Sequence, residues 1–294
     1  NKIKFVQVFI TMCALNEVKG MFDNMDNNII MIKNLNFGYN EKKIFDNFNL
    51  DIKKGSFVHI IGSSGSGKST LVKILLGLIK TDSYINIYHM NLCDDNLKDI
   101  RDNVGVVFEN PDNTFVCDTV KDEILFSLDN MHYAESTIKT KLNKVLTYVP
   151  VENLLNRSLN TLSGGEKQLV ALASALIKEP KILILDEALS MIDGVTKKQI
   201  LNILKRLNNE KKMTIINVTH DIEETVYGSD IIVLSEGKII LNDSKLNVYK
   251  EERLLKKLGL DLPFMVDLSN KLGYYGLVSD TMLNMNEMVN HLWK

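Results

Sequence analysis

The sequence predicts an α/β fold built on a parallel β-sheet with helices on both faces. Short apolar runs that are typical of buried strands occur at residues 56–61, 104–108, 182–185 and 214–218. Segments with helical periodicity, including residues 166–177 and 195–207, alternate with them. Because parallel strands are buried on both faces and need long crossovers, this alternation favours a parallel sheet over an antiparallel one.

The composition excludes several classes of protein. The 294 residues carry 35 Lys and Arg against 37 Asp and Glu, a net charge of −2, so no overall field attracts nucleic acid and we expect no nucleic-acid partner. No apolar run reaches the ~20 residues of a membrane-spanning helix. The three cysteines, Cys13, Cys93 and Cys117, are too few and too scattered for a disulfide framework, which favours a reduced, cytosolic interior.

The chain divides into a main domain with two smaller parts. Residues 1–27 are interpreted as an extension outside the fold, because the first clear strand pattern begins only at Ile29. Their apolar run superficially resembles a signal peptide, but no cleavage site follows it, which disfavours secretion. Residues 28–245 form the main domain. It begins with an antiparallel hairpin around the polar stretch 38–43 and contains a helical subdomain at about residues 115–170. Residues 246–294 predict a small C-terminal helical domain.

The segment GSSGSGKS at residues 62–69 matches the phosphate-binding loop, G-x-x-x-x-G-K-[ST]. It lies between an apolar strand and a helix, which is the context that the motif requires. Backbone N–H groups and the helix dipole then face the phosphates, Lys68 reaches the β- and γ-phosphates, and Ser69 ligates Mg²⁺. The nucleotide-binding residues predicted here are Gly62, Ser63, Ser64, Gly65, Ser66, Gly67, Lys68, Ser69 and Thr70.

Two carboxylates, Asp186 and Glu187, follow the apolar run at residues 182–185. This places them at the carboxyl end of a central strand, where open α/β sheets bind ligands. We expect Asp186 to hold Mg²⁺, and Glu187 to orient and deprotonate an attacking water. Taken alone, the pair could simply begin a helix with favourable N-terminal charge, but the upstream phosphate loop favours the catalytic interpretation.

The segment LSGGEKQ at residues 162–168 resembles the L-S-G-G-[QE] signature of the ATP-binding cassette (ABC) ATPases. Its serine and glycines precede a predicted helix and can present an anion site, although a plain helix cap is the alternative. The resemblance implies that Ser163, Gly164, Gly165 and Glu166 serve the ATP of a second subunit. Two chains would then enclose two ATP molecules.

The same resemblance assigns three further residues. Tyr39 corresponds to the aromatic residue that stacks on adenine, and an edge-strand tyrosine without a ligand is the alternative. His220 corresponds to the histidine that contacts the γ-phosphate and fixes the water together with Glu187; the alternative is a surface histidine. Asp193 corresponds to the loop that crosses to the partner subunit.

Glu109 departs from the family pattern, in which a glutamine at this position touches Mg²⁺ and the attacking water. We place Glu109 among the catalytic and metal-binding residues, because a carboxylate also ligates Mg²⁺ through oxygen. Its added negative charge near a triphosphate is expected to slow hydrolysis or to require tighter metal binding. In the alternative, Glu109 points away and a water takes its place.

Two further segments resemble the energy-coupling factor (ECF) transporter ATPases. FENPDNTF at residues 108–115 is similar to F-Q-N-P-D-N-Q-F, and DEALSMID at residues 186–193 is similar to D-E-A-T-S-M-L-D. Residues 246–294 are similar to the small dimerisation domain of that family. The resemblance identifies a P-loop ABC ATPase with an antiparallel β subdomain, a helical subdomain and a C-terminal helical domain.

The resemblance also implies a complex with a defined task. ATP and Mg²⁺ are the expected cofactors, and ATP hydrolysis would power uptake of a vitamin or transition-metal ion. The implied partners are a second ATPase subunit, homologous or identical, a transmembrane coupling protein, and a membrane protein that captures the substrate. The chain would lie peripherally on the cytoplasmic face of the cell membrane.

The sequence leaves two alternative functions undecided, and also the role of one acidic surface. The chain could be the ATPase of another ABC importer, which the C-terminal ~45 residues would distinguish. It could also be a nucleotide-binding partner whose own site is nearly inert because of Glu109. The acidic residues between 112 and 123 could pair with arginines of a coupling helix or form a solvated face.

Overall fold

The computed structural model describes residues 27–40, 42–131 and 133–292, so all of the predicted extension but Asn27 lies outside the described residues. Within these described ranges, ten strands form two sheets: β1 (Asn28–Tyr39), β2 (Lys42–Lys53), β3 (Phe57–Ile61), β4 (Tyr84–Ile87), β5 (Met90–Asn91), β6 (Val104–Phe108), β7 (Ile182–Asp186), β8 (Thr214–Val218), β9 (Asp230–Ser235) and β10 (Lys238–Ser244). A four-stranded sheet has the order β2-β1-β4-β5, and a six-stranded sheet has the order β10-β9-β3-β8-β7-β6.

The six-stranded sheet confirms the predicted parallel architecture. β3 pairs in parallel with β8 and β9, and β7 pairs in parallel with β8 and β6, whereas β10 is an antiparallel edge strand. All five residues of β3 and all five of β8 are buried, as expected for strands covered on both faces. The four-stranded sheet is antiparallel throughout.

The helices pack on both faces of the larger sheet and continue to the C-terminal end. Among the described residues they are α1 (Lys68–Leu75), α2 (Leu97–Asn103), α3 (Val120–Phe126), α4 (Glu135–Leu146), α5 (Gly164–Leu176), α6 (Gly194–Lys211), α7 (Lys245–Lys250), α8 (Glu252–Lys257), α9 (Phe264–Tyr274) and α10 (Met285–Leu292). None of these helices combines the length and the apolar character needed to cross a membrane.

Separate apolar clusters hold the layers together. One joins the small sheet and α1 to the large sheet through residues such as Phe45, Leu71 and Ile60. A second cluster packs helices α3, α4, α5 and α6 against the opposite face of the large sheet. A third packs Val248 and Leu255 of the C-terminal helices against β3 and β9. Each large aliphatic side chain buried in this way contributes roughly 1.5–3 kcal/mol.

Strands β4 and β5 and helix α2 were not expected from the sequence. The turn between β4 and β5 places two non-glycine residues in the left-handed region, Tyr88 at φ 51° and His89 at φ 64°. Turns of this kind are usually marked by Asn-Gly or Asp-Gly, so the sequence offered no turn signal. The pairing of β4 with β1 is a tertiary contact that local periodicity does not encode.

Candidate functional site

The phosphate loop folds back on its own lysine. The Lys68 ammonium donates to the carbonyl of Gly62 at 2.8 Å and to that of Ser63 at 3.2 Å, and the side chain is 7% exposed. Burial lowers the pKa of Lys68, while the nearby carboxylates of Glu187 and Asp186 oppose that shift. The lysine is therefore held at the mouth of the loop, where phosphate oxygens can take the place of the two carbonyls.

Helix α1 begins with a free anion site. Gly67, at φ 106°, precedes it without a side-chain cap, and the first turn carries no acidic residue. Its first N–H groups and its dipole are thus left for an anion. Gly67 also has to be small, because a Cβ there would lie 3.0 Å from the ring of Phe45. Packing against β2 consequently shapes the loop from behind.

A cavity of about 330 Å³ opens over this loop. It brings together the phosphate loop, the end of β7 and the segment after β8, as predicted from the order of the motifs. It is also lined by two residues of β2 that the sequence analysis did not single out. The lining residues are Lys42, Ile44, Ser64, Gly65, Gly67, Lys68, Ser69, Thr70, Glu187 and His220.

Asp186 has the character of a metal ligand. Its carboxylate lies at the carboxyl end of β7, and burial, followed by the charge of Glu187, raises its pKa. Oδ1 of Asp186 is buried and has no hydrogen-bond partner among the described residues. Buried polar atoms are normally satisfied, so an unpaired carboxylate oxygen fits a site for a cation. With the hydroxyl of Ser69 it offers the oxygen ligands that Mg²⁺ prefers.

Glu187 is held by a left-handed backbone conformation and by two neighbours, Lys68 and His220. Its φ of 52° lies in the left-handed region, which is uncommon for a residue other than glycine, and its N–H donates to the Val218 carbonyl at 2.9 Å. Oε1 lies 4.0 Å from Nζ of Lys68, and Oε2 lies 2.5 Å from Nδ1 of His220. The structure thus brings together the predicted base and the predicted histidine.

A lysine that sequence reasoning missed joins the segment that carries this histidine to helix α6. Nζ of Lys197 lies 2.8 Å from Oδ2 of Asp221, directly after His220, and 3.2 Å from Oε1 of Glu224. Lys197 stands one turn after Asp193 in α6, and its N–H donates to the Asp193 carbonyl. Only the i+4 spacing from Asp193 could have drawn attention to it.

The ion pair between Lys197 and Glu224 is largely buried. Glu224 is 2% exposed, and its other carboxylate oxygen accepts from the side-chain amide of Asn217 at 2.7 Å. Burial raises the pKa of Glu224. The hydrogen bond from Asn217 and the charge of Lys197 partly offset that shift, and so stabilise the ionised form of a carboxylate that water cannot reach.

Glu109 lies on the Asp186 side of the site. The hydroxyl of Ser190 is 3.5 Å from Oε1 of Glu109, and the charge of Glu109 adds to the rise in the pKa of Asp186. Nearby, the buried amide of Gln168 donates to the carbonyls of Phe108 and Ala188, at 2.9 and 2.5 Å. Gln168 thereby joins α5 to the end of β6 and to the segment after β7, a role that the motif alone did not reveal.

The signature residues form a second, separate surface. Ser163 caps α5 in a capping box: its hydroxyl accepts from the Glu166 N–H, and the Glu166 carboxylate accepts from the Ser163 N–H at 2.7 Å. That backbone hydrogen bond lowers the pKa of Glu166. Ser163 and Gly164 are exposed, and a Cβ at Gly164 would meet no atom within 4 Å. A Cβ at Gly165 would lie 3.0 Å from the Thr196 side chain.

Asp193 and Tyr39 also lie outside the lining of the cavity. Asp193 caps α6 by accepting from the N–H groups of Val195 and Thr196, at 2.9 and 3.0 Å. Tyr39 is 46% exposed, packs edge-on against Phe37, and is the cross-strand partner of Lys42, which does line the cavity. Within one chain, neither residue meets the phosphate loop, and their roles stay predictions.

A phosphate loop, an Asp-Glu pair and a signature helix on a parallel α/β sheet define an ABC-type ATPase. The family model described as ABC transporter matches residues 45–190. An energy-coupling factor transporter ATP-binding protein, EcfA, from Pediococcus pentosaceus is 39% identical over 265 residues, which cover 89% of this chain and 95% of that protein. The chain therefore belongs to the family of energy-coupling factor transporter ATP-binding proteins.

Solved structures agree with this assignment. The structure of cbiO1 from Clostridium perfringens, part of the ABC transporter complex cbiONQ, has a TM-score of 0.73 at 29% identity and covers 85% of this chain and 99% of its own. The dimeric ATP-binding cassette MJ0796, bound to ADP and Pi, has a TM-score of 0.64 at 32% identity and covers 73% and 98%. The predicted fold class and enzyme class, an ATPase coupled to transport, are confirmed.

Proposed function

We propose that this chain is the ATP-hydrolysing subunit of an ECF importer and powers the uptake of a vitamin or a transition-metal ion through a membrane coupling protein. One observation carries the proposal: the nucleotide site is divided. The phosphate loop, Glu187 and His220 share one cavity, whereas Ser163 and Gly164 lie exposed outside it. A second ATPase subunit would supply the missing half, and the dimeric state of the MJ0796 cassette supports this.

The chain's own residues suit ATP hydrolysis. Lys68 and the first N–H groups of α1 would bind the phosphates, and Ser69, Asp186 and Glu109 would hold Mg²⁺. The ion, when bound, would neutralise charge that develops on the phosphate oxygens. Glu187 would orient the attacking water and accept its proton, while His220, 2.5 Å away, would fix the direction of that carboxylate.

Hydrolysis would be coupled to movement of the two subunits. Bound ATP would be completed by Ser163 and Gly164 of the partner, which holds the subunits together as long as the γ-phosphate is present. ADP makes fewer contacts with the signature, so hydrolysis would release that contact. Asp193, with its N-cap on α6, would contact the partner beside the same nucleotide.

The groove between β6 and α5 is the proposed docking site of the coupling protein. Its walls are mixed: Val107, Phe115 and Ala171 contribute apolar surface, and Arg101 and Lys178 contribute charge. The hydroxyls of Ser127 and Ser174 line it and have no hydrogen-bond partner among the described residues. An amphipathic helix would bury the apolar wall and satisfy these hydroxyls, which is the usual helix-in-groove mode.

Some of the acidic residues near this groove already form ion pairs or hydrogen bonds within the chain. Asp112 pairs with Lys167 at 2.7 Å, and Glu123 accepts from the N–H groups of Val116 and Cys117. Asp118 and Asp122 remain exposed. We therefore assign any pairing with arginines of the coupling protein to Asp118 and Asp122. In this arrangement the chain lies peripherally on the cytoplasmic face of the membrane.

The experiment is to purify the tagged chain from its native membrane and to identify the proteins that co-elute. We expect a second ATPase subunit, a transmembrane coupling protein and a small membrane protein, with ATPase activity that the Lys68→Ala variant lacks. The substrate class follows from the small membrane protein, by uptake of labelled vitamin or metal into proteoliposomes. A complex without membrane subunits would contradict the proposal.

A second candidate function rests on Glu109. Its charge adds to the rise in the pKa of Asp186, which opposes ionisation of a metal ligand. A nearly inert site, with hydrolysis carried by the partner ATPase, would follow if this effect dominates. Single-turnover hydrolysis at each site of the complex separates the two candidates, because an inert site in this chain would retain its ATP.

A further inference from the structure

A second cavity, of about 160 Å³, lies at the opposite edge of the large sheet from the phosphate loop. It is lined by residues that directly precede β7 and β8, so it faces the amino ends of these strands rather than their carboxyl ends. Its floor is apolar and is formed by Ile29, Val145, Leu176, Pro180, Leu207 and Met213. All six residues are buried, so the floor is part of the packed core and is fixed in shape.

The rim of this cavity is strongly basic. Among the described residues, five lysines and one acid, Glu179, line it. Glu179 pairs with one of these lysines, Lys144, and at 3.0 Å with Lys141, which lies outside the lining. The other four are exposed, and none has an acidic partner within ion-pair distance among the described residues. These four are Lys54, Lys181, Lys211 and Lys212. Like charges gathered around a low-dielectric pocket create a positive potential that favours an anion.

The pairing of an apolar floor with a basic rim defines the chemistry of an occupant. A bare phosphate would leave the floor unfilled, and a neutral hydrocarbon would leave the lysines without a counterion. Lysine stems can cover an apolar chain while their ammonium groups bind its charged end. We propose that this cavity binds an anionic amphiphile, a single acyl chain that carries a carboxylate.

The position of the cavity gives such a ligand access to the ATPase. Leu176 is the last residue of α5, whose first turn forms the signature, and Lys211 is the last residue of α6, which Asp193 caps. An occupant would therefore contact the far ends of both helices that present residues to a partner subunit. The inference goes beyond the proposed function, and binding at this site does not depend on hydrolysis.

The test uses the full chain with methyl-¹³C-labelled methionine, because Met213 lies in the floor and is 7% exposed. Its resonance is assigned with the Met213→Leu variant. Decanoate is titrated below its micelle concentration in the presence of saturating MgADP, so that the phosphate loop is already occupied. We expect a saturable shift of the Met213 resonance. Decyl glucoside, which has an alkyl chain of similar length and no charge, is expected to bind at least ~10-fold more weakly.

Charge reversal at the rim provides the decisive comparison. The double variant Lys181→Glu/Lys212→Glu is expected to raise the Kd of decanoate about tenfold, whereas Lys98→Glu, an exposed lysine of α2, changes it less than about twofold. An unchanged thermal midpoint shows that the variants fold. The inference is overturned if Met213 does not respond, if decyl glucoside binds as tightly as decanoate, or if the double variant keeps the original Kd.

Discussion

The two halves of the proposed nucleotide site differ in how far one chain completes them. In the phosphate half, Lys68 is 7% exposed and is held by carbonyls of its own loop, and Glu187 is 19% exposed and is hydrogen-bonded to β8. In the signature half, Ser163 and Gly164 lie exposed at the start of α5. The phosphate half is thus shaped by the core of the chain, whereas the signature half is an exposed surface that another molecule can contact.

The polar groups of the signature half are satisfied locally until a partner arrives. The capping box between Ser163 and Glu166 uses the hydroxyl and the carboxylate within the helix end itself. Such a cap stabilises a helix by about 1 kcal/mol without any ligand. In the phosphate half, by contrast, α1 has no side-chain cap and Oδ1 of Asp186 is unpaired among the described residues. The polar groups of the two halves that lack partners within the described residues therefore lie in the phosphate half, where a ligand would satisfy them.

The largest effect is expected from Glu187→Gln, which removes the proposed base of the phosphate half. Because the amide keeps the shape of the side chain but accepts no proton, turnover should fall at least ~100-fold while ATP binding persists. Steady-state hydrolysis and ATP binding by the assembled complex measure the two quantities. A turnover within about tenfold of the native rate would contradict the assignment of Glu187 as the base.

The signature half is tested by Gly164→Asp. The space around Gly164 is open and an acidic residue suits a helix N-terminus, so the thermal midpoint should not fall. Placed against the phosphates of the partner's ATP, the new charge should lower turnover of the complex by about 100-fold. ATP binding to the isolated chain should be unchanged. Weaker binding by the isolated chain would indicate that the signature serves its own phosphate loop.

An intermediate effect is expected from breaking the ion pairs between α6 and the segment after β8. Lys197→Met leaves Asp221 and Glu224 without their cation, so His220 should lose its fixed position and turnover should fall roughly tenfold. Lys197→Arg should restore most of it, and Lys198→Met, an exposed neighbour, should change little. Equal losses in all three variants would indicate a general effect on α6 instead.

The same variant has a pH-dependent stability. The pKa of Glu224 is raised in the folded chain, so its contribution favours folding below its unfolded pKa and is lost as pH rises toward the folded pKa. Without Lys197 that pKa rises further. The deficit in the free energy of unfolding of Lys197→Met should therefore be larger at about pH 8 than at about pH 5, as measured by urea unfolding. A constant deficit would argue against Glu224 as the cause.

The smallest effect is expected from Glu109→Gln, which adjusts the phosphate half without removing a group. Loss of the charge lowers the pKa of Asp186, so turnover should rise by about threefold, with less Mg²⁺ needed for half-maximal activity. The acid limb of the pH profile should move to lower pH. Glu152→Gln, on a short exposed turn, is the control. A rate that fails to rise at any Mg²⁺ concentration would count against a charge penalty.

Much of the fold and of the candidate site could be predicted from the sequence because their signals are local. Glycine spacing and the following lysine predicted the phosphate loop, and continuous apolar runs predicted the strands β3, β7 and β8. Order along the chain placed Asp186, Glu187 and the segment after β8 at one edge of the sheet. Strands β4 and β5 were missed because their turn uses Tyr88 and His89 in place of the usual turn residues.

The sequence by itself determined the chemistry of this protein, since that chemistry resides in short motifs whose backbone conformation their own residues impose. Only the tertiary structure decided which distant groups meet. It joined Lys197 to Asp221 and Glu224, lined the cavity over the phosphate loop with Lys42, and gathered lysines from separate segments around an apolar floor. Such contacts arise because core packing brings together segments far apart in the chain, and periodicity within a segment carries no information about its neighbours.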